Sequence, residues 1–142
     1  MAQQENAASL QATKELAEHR DKRAKELKNV GRKVMGYFCS YTPLEILTAA
    51  NLVPYRFHGN IREPITEADA YLDPAICPYL KSCYDMVLKG RYDFLDGWIT
   101  PDSCDSKISV FKVWAYNIES PYVILAKCSQ RRGLGESSFL QG

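Results

Sequence analysis

Short apolar runs alternate with helical patterns along most of this sequence, and this alternation restricts the possible folds more than any other feature. Four apolar runs are typical of strands: Val34–Cys39, Leu52–Phe57, Phe94–Thr100 and Tyr122–Ala126. Strands that alternate with helices pair in parallel, and the helices cover both faces of the sheet. We therefore predict an α/β fold with a doubly wound, mostly parallel sheet of the Rossmann-like or flavodoxin-like kind.

The first connecting helix has a complete set of start signals. Thr42 has the position of an N-cap, Pro43 that of the first helical residue, and Glu45 that of the acid in a capping box. Helix capping therefore explains Glu45 without a catalytic role.

Apolar stripes predict the next two helices. The second helix follows Asp73 and Pro74 and ends near Gly90, and the third runs from about Ser106 to Ile118. The stripe of the second helix consists of Ile76, Leu80, Cys83 and Val87. The stripe of the third helix consists of Ile108, Phe111 and Ala115. Each stripe has the spacing of a buried helix face.

The 142 residues divide by pattern into three parts. We predict an N-terminal helix within residues 1–33, an α/β domain over residues 34–126, and a disordered or aberrant tail over residues 127–142, whose Gly, Ser and Arg content is typical of coil. The N-terminal helix extends from Ser9 to Val30 and stops at Gly31. Its narrow apolar stripe consists of Leu10, Ala17, Ala24 and Leu27. The opposite face, including His19, is predicted to be solvated surface.

Charge and hydropathy exclude several classes of partner. Eighteen basic and seventeen acidic residues give a formal charge of +1, so no overall field attracts nucleic acid or an anionic membrane. The sequence has no apolar run of ~18 residues and no signal-peptide pattern, which indicates a cytoplasmic protein. Five cysteines without an export signal argue against a disulfide framework.

The cysteines are the strongest candidates for chemistry. In open parallel sheets, ligands bind beyond the carboxyl ends of the strands, where helix N-termini also gather. Cys104 opens a helix directly after a strand, and Cys77 begins the helix after Asp73 and lies one position off its apolar stripe. Cys83 belongs to that stripe and is predicted to be buried. From the residues alone, Cys77 and Cys104 remain either site residues or ordinary reduced thiols, and Cys39 is a second-rank candidate.

Five segments together resemble the 2-hydroxyacyl-CoA dehydratase and benzoyl-CoA reductase family, which includes the 2-hydroxyglutaryl-CoA dehydratase D-component. The first runs from Gly36 through Cys-Ser-Tyr-Thr-Pro to Pro54. The others are Ala68-Asp-Ala-Tyr-Leu, Ile76-Cys-Pro-Tyr-Leu-Lys-Ser-Cys, Gly90-Arg-Tyr-Asp-Phe-Leu-Asp-Gly-Trp and Pro101-Asp-Ser-Cys-Asp. Their order and spacing extend the resemblance from Val34 to about Ala126, as the amino-terminal part of a family subunit.

The resemblance implies an anaerobic iron-sulfur enzyme. Family members have two α/β domains with a [4Fe-4S] cluster near their junction, pair with a homologous second subunit, and receive single electrons from an ATP-dependent activator protein. In the dehydratases the electron reduces the thioester carbonyl of an acyl-CoA substrate to a ketyl radical, which expels the hydroxyl group. In the reductases it enters an aromatic ring. The family's cluster cysteines correspond to Cys77 and Cys104, while its third cysteine ligand comes from the second half of the protein.

Several alternatives stay open at this point. A cluster-binding or electron-transfer accessory subunit without catalysis would carry the same cysteines, as would an aromatic ring reductase. A larger, double-cubane cluster is also compatible with two cysteines. The resemblance assigns no catalytic acid or base to a particular residue of this sequence, so the catalytic residues are unknown at this point.

Overall fold

The computed structural model describes residues 2–119 and 122–127, with the side chains of residues 9–17, 19–119 and 122–127. Its helices are α1 Ala2–Glu18, α2 Arg20–Asn29, α3 Leu44–Ala49, α4 Pro78–Leu88 and α5 Asp105–Asn117, with a 3₁₀ helix at Ala68–Ala70. Its strands are β1 Val34–Tyr37, β2 Val53–Arg56, β3 Gly97–Pro101 and β4 Tyr122–Ala126. No helix in these residues is long and apolar enough to cross a bilayer.

The four strands form one sheet with the order β2-β1-β3-β4, and every pair in it is parallel. This result confirms the predicted doubly wound α/β fold. The order is that of the first four strands of flavodoxin-like sheets, in which the strand order reverses between β1 and β3. In other open α/β sheets, ligands bind at the carboxyl edge beside such a reversal of strand order.

The core consists of a layer on each face of the sheet. On one face, Trp98 of β3 packs with Trp114 of α5 and with Leu80 of α4, all within one buried cluster. On the other face, Met35 and Ile99 pack against Leu47 of α3. Successive strand residues point to opposite faces, so β1 and β3 each supply side chains to both layers.

Three helices end in the same way. Gly31, Asn51 and Gly90 follow α2, α3 and α4 with φ values of 87°, 59° and 71°. Each donates its N–H to the carbonyl three residues earlier, and the next residue donates to a carbonyl five residues earlier, as in the Schellman motif. Gly31 and Gly90 were predicted stops, and both are confirmed.

The predicted capping box before α3 is wrong. The N-cap of α3 is Pro43, and no side chain caps this helix. Thr42 is buried and its Oγ1 has no hydrogen-bond partner among the described residues. The N–H of Thr42 donates to the carbonyl of Cys39 in a turn, and this turn delays the helix by one residue. Glu45 consequently falls one position too early to close a capping box.

The inward face of α5 also differs from the prediction. Val110 and Trp114 are buried, Ile108 and Phe111 are half-buried, and Ala115 is exposed. Trp114 stacks on Trp98 with ring centroids 4.3 Å apart. The indole of Trp114 is a larger apolar group than the methyl of Ala115 and occupies the inward position. Helix α5 is therefore oriented with Ala115 toward solvent.

The predicted N-terminal helix is divided at His19 into α1 and α2. The N–H of His19 still donates to Glu15 and its carbonyl accepts from Arg23, so helical bonding continues across the joint. Ala24 is buried, whereas Leu10 is 58% exposed. Within the described side chains of these two helices, the buried residue that joins the domain core is Ala24 of α2.

A buried carboxylate organises the long connection between β2 and α4. Oδ1 of Asp85 accepts the backbone N–H groups of Thr66, Glu67 and Ala68 at 2.9, 2.7 and 3.0 Å. Its Oδ2 lies 2.6 Å from Nζ of Lys89. Burial alone raises the pKa of Asp85, but Lys89 and the three N–H groups outweigh it and lower the pKa to about 2.

We expect Asp85→Asn to lower the free energy of unfolding at pH 7 by about 2 kcal/mol, because one pKa unit corresponds to about 1.4 kcal/mol. A lowered carboxyl pKa stabilises the fold above the unfolded-state value of about 4, and this stability is lost as pH falls toward 2. Urea denaturation at pH 7 and pH 2.5 should therefore show that the free energies of unfolding of the original protein and of Asp85→Asn differ less at pH 2.5. Asp93→Asn is the control, since Asp93 is exposed. An equal loss of stability at both pH values would show that the charge of Asp85 does not stabilise the fold.

Candidate functional site

The carboxyl edge of the sheet carries the candidate cysteines. The loop after β1 contains Cys39, the loop after β3 contains Cys104, and the connection after β2 leads to Cys77 at the start of α4. The hydroxyl of Tyr79, in the first turn of α4, donates to the carbonyl of Phe57 at 2.7 Å. This bond ties the start of α4 to the end of β2, so Cys77 and Cys104 lie on the same edge of the sheet.

Cys104 is the N-cap of α5 and is exposed. Its carbonyl accepts the N–H groups of Lys107 and Ile108 at 3.1 and 3.3 Å. The extended backbone at Cys104, with φ −161° and ψ 155°, turns the chain from β3 into the helix. An N-cap side chain lies beside the unpaired N–H groups of the first helical turn, where a negative charge is favoured.

Cys77 is the N-cap of α4, one position earlier than the predicted first turn. Oδ1 of Asp73 accepts the N–H of Ala75 at 2.7 Å, so Asp73 and Pro74 form a separate turn before the helix. Pro78 takes the first helical position, which suits a residue without an N–H. The thiol of Cys77 is free and exposed.

Cys83 is completely buried, which confirms the sequence prediction. It packs in the main core cluster with Leu80 of the same helix. Burial raises the pKa of its thiol to about 12, so the neutral form persists at physiological pH. Cys83 is a core residue of α4.

Cys39 has a distinct chemical environment that the sequence did not reveal. Its half-buried thiol lies beside the ammonium of Lys107, which comes from the first turn of α5. Burial alone raises the pKa of Cys39, but the N–H of Tyr41, Lys107 and the hydroxyl of Ser40 outweigh it and lower the pKa to about 7. Nζ of Lys107 also donates to Oγ of Ser103 at 2.6 Å. A cation thus connects the loops after β1 and β3.

The described residues do not complete a metal site. Within them, no three Cys, His, Asp or Glu side chains come close enough to share an ion. Cys77 and Cys104 are therefore two exposed thiols on one edge without a third ligand beside them. Cys128 lies outside the described residues.

Comparison with known proteins identifies the family. The profile of the 2-hydroxyglutaryl-CoA dehydratase D-component family matches residues 39–137, which is well over half of the chain. The chain belongs to this family. The match includes Cys77 and Cys104, and it continues past Lys127 into the segment that the sequence pattern had set apart as an aberrant tail.

Relatives at moderate identity are components of known enzymes. The chain is 33% identical over 98 residues to the (R)-phenyllactyl-CoA dehydratase beta subunit of Clostridium sporogenes, covering 67% of the chain and 26% of that relative. It is 31% identical over 93 residues to a benzoyl-CoA reductase subunit of Thauera aromatica, covering 65% and 24%. It is 30% identical over 112 residues to the (R)-2-hydroxyglutaryl-CoA dehydratase beta subunit of Acidaminococcus fermentans, covering 77% and 29%. The chain spans about a quarter of the length of these relatives.

The environment of Cys39 leads to a test by alkylation kinetics. In a variant with Cys77→Ser, Cys104→Ser and Cys128→Ser, we expect the rate of iodoacetamide modification to rise with a midpoint near pH 7, because the thiolate is the nucleophile. Lys107→Met removes the neighbouring cation and should move the midpoint upward by about one pH unit.

Lys112→Met is the matched control, since Lys112 is an exposed lysine of the same helix. It should leave the midpoint unchanged. Peptide mapping by mass spectrometry verifies that Cys39, and not the buried Cys83, carries the label. A midpoint that is identical in the Lys107 and Lys112 variants would refute the role of Lys107.

Proposed function

We propose that this chain is the amino-terminal part of an iron-sulfur subunit of a 2-hydroxyacyl-CoA dehydratase or benzoyl-CoA reductase type of enzyme. Cys77 and Cys104 are its protein ligands for a [4Fe-4S] cluster. One observation carries the proposal: both are free, exposed N-cap residues on the same edge of the sheet, within the segment that matches the family.

The donor set fits part of an iron-sulfur site. Fe–S clusters are held by cysteine thiolates, and both thiols are accessible and not engaged in a disulfide. Each lies at the N-terminus of a helix of more than ten residues, where backbone N–H groups favour a negative ligand. Two thiolates leave the site incomplete, so the remaining ligands have to come from outside the described residues.

The chain's own residues hold the two thiols in place. The bond from Tyr79 to the Phe57 carbonyl fixes the start of α4 to the sheet, while Trp114 anchors α5 on Trp98. When bound, the cluster would supply single electrons for reduction of an acyl-CoA thioester. The bulk of the sheet below the edge excludes water from one side of such a site.

The proposed enzyme works as a complex. Two of the relatives are named as dehydratase beta subunits and the third as one of several benzoyl-CoA reductase components, so we propose a homologous second subunit as a partner. An ATP-dependent activator protein would deliver the electrons, and an acyl-CoA would be the substrate. The proposed setting is the cytoplasm.

A second candidate function is reduction of an aromatic acyl-CoA ring, favoured by the likeness to the benzoyl-CoA reductase of Thauera aromatica. A third is an accessory role in which the protein holds the cluster and passes electrons without turning over substrate. Turnover of 2-hydroxyacyl-CoA and of benzoyl-CoA with activator and partner present separates the three.

We expect anaerobic reconstitution of this chain with iron and sulfide to give weak, labile binding, because two thiolates are only part of a ligand set. A chimera should bind a stable cluster, with a broad visible absorbance and an EPR signal after reduction. In this chimera, the family-matched segment of this chain replaces the corresponding part of the Clostridium sporogenes beta subunit. Cys77→Ser combined with Cys104→Ser should abolish that binding in the chimera.

Cys83→Ala is the control for this experiment, since the buried Cys83 thiol should not contribute to binding. Circular dichroism verifies that each variant keeps the fold. A cluster that survives the double substitution in the chimera would disprove the ligand assignment. A stable, stoichiometric cluster in this chain alone would show that Cys39 or Cys128 supplies the missing ligand.

A further inference from the structure

A polar cluster, which we name the His58 cluster, attaches the start of α2 to strand β2. Its members are Arg20 and Asp21 of α2, Tyr55 of β2, His58 just after β2, and Tyr92 after α4. The guanidinium carbon of Arg20 lies 4.8 Å from the centre of the Tyr55 ring, and the guanidinium donates to the carbonyl of Arg56. The hydroxyl of Tyr55 donates to the carboxylate of Asp21. None of these residues belongs to the cysteine site.

His58 is the centre of this cluster, and its ring nitrogen Nδ1 contacts two hydroxyl groups. Nδ1 is 3.4 Å from the oxygen of Tyr55 and 3.2 Å from the oxygen of Tyr92. The Tyr92 hydroxyl also donates to the carbonyl of His58 at 2.5 Å and accepts its N–H at 3.3 Å. Because the two hydroxyl hydrogens are directed at Asp21 and at that carbonyl, Nδ1 can join these contacts only as a donor. The neutral ring therefore carries its hydrogen on Nδ1.

The surroundings of His58 oppose a positive charge on its ring. The titratable and charged groups near the ring are Arg20 and Asp21 of α2, Tyr55 and Arg56 of β2, and Tyr92, with Cys83 of α4 next to Tyr92. Burial of the ring, followed by the Arg20 guanidinium, lowers the pKa of His58. The Asp21 carboxylate and the Arg56 carbonyl raise it by less, so the ring is neutral at pH 7. Burial raises the pKa values of Tyr55, Tyr92 and Cys83 well above neutral, so these groups carry no charge there.

We propose that His58 makes the attachment of α2 sensitive to pH, because proton uptake by its ring releases the start of this helix from β2. The imidazolium places a second positive charge beside Arg20 in a half-buried position. Movement of Arg20 away from the ring, together with entry of water, relieves that unfavourable charge. Proton uptake therefore favours an open arrangement in which Arg20 leaves the Arg56 carbonyl.

The other end of α2 has attachments that do not depend on His58. Nζ of Lys28 donates to the carbonyl of Phe94 at 2.8 Å and lies 3.5 Å from the carboxylate of Asp96. Burial alone raises the pKa of Asp96, but the N–H of Val34 and the neighbouring lysines outweigh it and lower the pKa. This ion pair therefore persists in mild acid, and the release is confined to the first turns of α2.

The direction of the pH dependence follows from the lowered pKa of His58. Release exposes the ring and brings its pKa toward the ordinary value of 6.5, so the released arrangement binds a proton more readily than the attached one. Attachment is therefore strongest above pH 6.5, weakens as pH falls, and levels off below the lowered pKa. The factor by which attachment weakens equals the ratio of the two acid dissociation constants.

Hydrogen exchange of this chain at several pH values, with each rate corrected for its intrinsic pH dependence, tests the proposal. We expect the protection of amides 23–26 in α2 to fall severalfold between about pH 7.5 and pH 5, while the amides of α5 keep theirs. An NMR titration of the His58 ring in the same unmodified chain gives the pKa and the tautomer. Loss of protection should occur over the pH range in which this ring titrates.

His58→Asn keeps an N–H donor near the position of Nδ1 but cannot take up a proton. It should leave α2 protected at pH 7.5 and abolish the loss of protection at pH 5. His19→Asn is the matched control, because His19 is the other histidine of the chain, is exposed, and lies next to the same helix. This variant should retain the full pH dependence. Circular dichroism verifies the fold of each variant at both pH values.

Three results would overturn the proposal. One is protection of α2 that does not change while the His58 ring titrates. Another is an unchanged pH dependence in His58→Asn, or its loss in His19→Asn. The last is an equal fall in the protection of α5, which would indicate acid unfolding of the whole domain. If His58→Asn does not fold, the comparison of ring titration with α2 protection in the unmodified chain decides alone.

Discussion

Trp98 stacks on Trp114, and this contact is the centre of the aromatic cluster that supports the candidate site. The rings lie 4.3 Å apart and join β3 to α5. Phe38, the first residue after β1, meets both rings edge-on at 5.9 and 5.7 Å and stacks on Phe57 at 4.6 Å. Aromatic pairs of this geometry add stability beyond that of the buried area. The cluster therefore joins the ends of β1 and β2, strand β3 and helix α5 into one block.

This aromatic block lies directly beneath the candidate site. Cys39 follows Phe38 in sequence, and the Phe57 carbonyl accepts the hydroxyl of Tyr79 near the start of α4. Gly36 belongs to the same arrangement, because a Cβ there would come within 2.6 Å of the Phe57 ring. The apolar packing of the aromatic block therefore fixes the positions of the loops and helix starts that carry the thiols. Functional groups on loops commonly depend on a rigid scaffold in this way.

Much of the fold could be predicted from the sequence, because the spacing of apolar residues and the presence of turn residues determine secondary structure within short segments. The four strands and the stops at Gly31 and Gly90 follow from such signals. Helix starts were less predictable. Thr42 does not cap α3, because its N–H donates to the carbonyl of Cys39 in a turn. Helix α4 starts only at Pro78, because Asp73 forms a separate turn before it. The face of α5 depends on which aromatic ring reaches Trp98, and periodicity alone cannot decide that choice.

In the candidate site too, the features that depend on local sequence could be predicted, and those that depend on long-range contacts could not. Topology alone chose Cys77 and Cys104 as edge residues and Cys83 as a core residue, because each choice depends on position within one helix. The pairing of Cys39 with Lys107 was missed, since it depends on β1 lying beside β3. One signal was available: Lys107 follows Cys104 by three residues, about one helical turn, and therefore lies on the same side of the helix start as Cys104.

The connection between β2 and α4 contains an exposed segment at which the polypeptide chain can be divided. Asn60 is held by Ser82 at 2.9 Å, and Thr66 is held by Asp85 at 2.9 Å, with the exposed Ile61 between these two anchors. A backbone cut after Arg62 would leave β1 and β2 in one piece and β3 and β4 in the other. The two pieces would remain joined along the β1–β3 seam and through the aromatic block. A gene split at this point could therefore encode two polypeptides that assemble into the same domain, with Cys39 on one and Lys107 on the other.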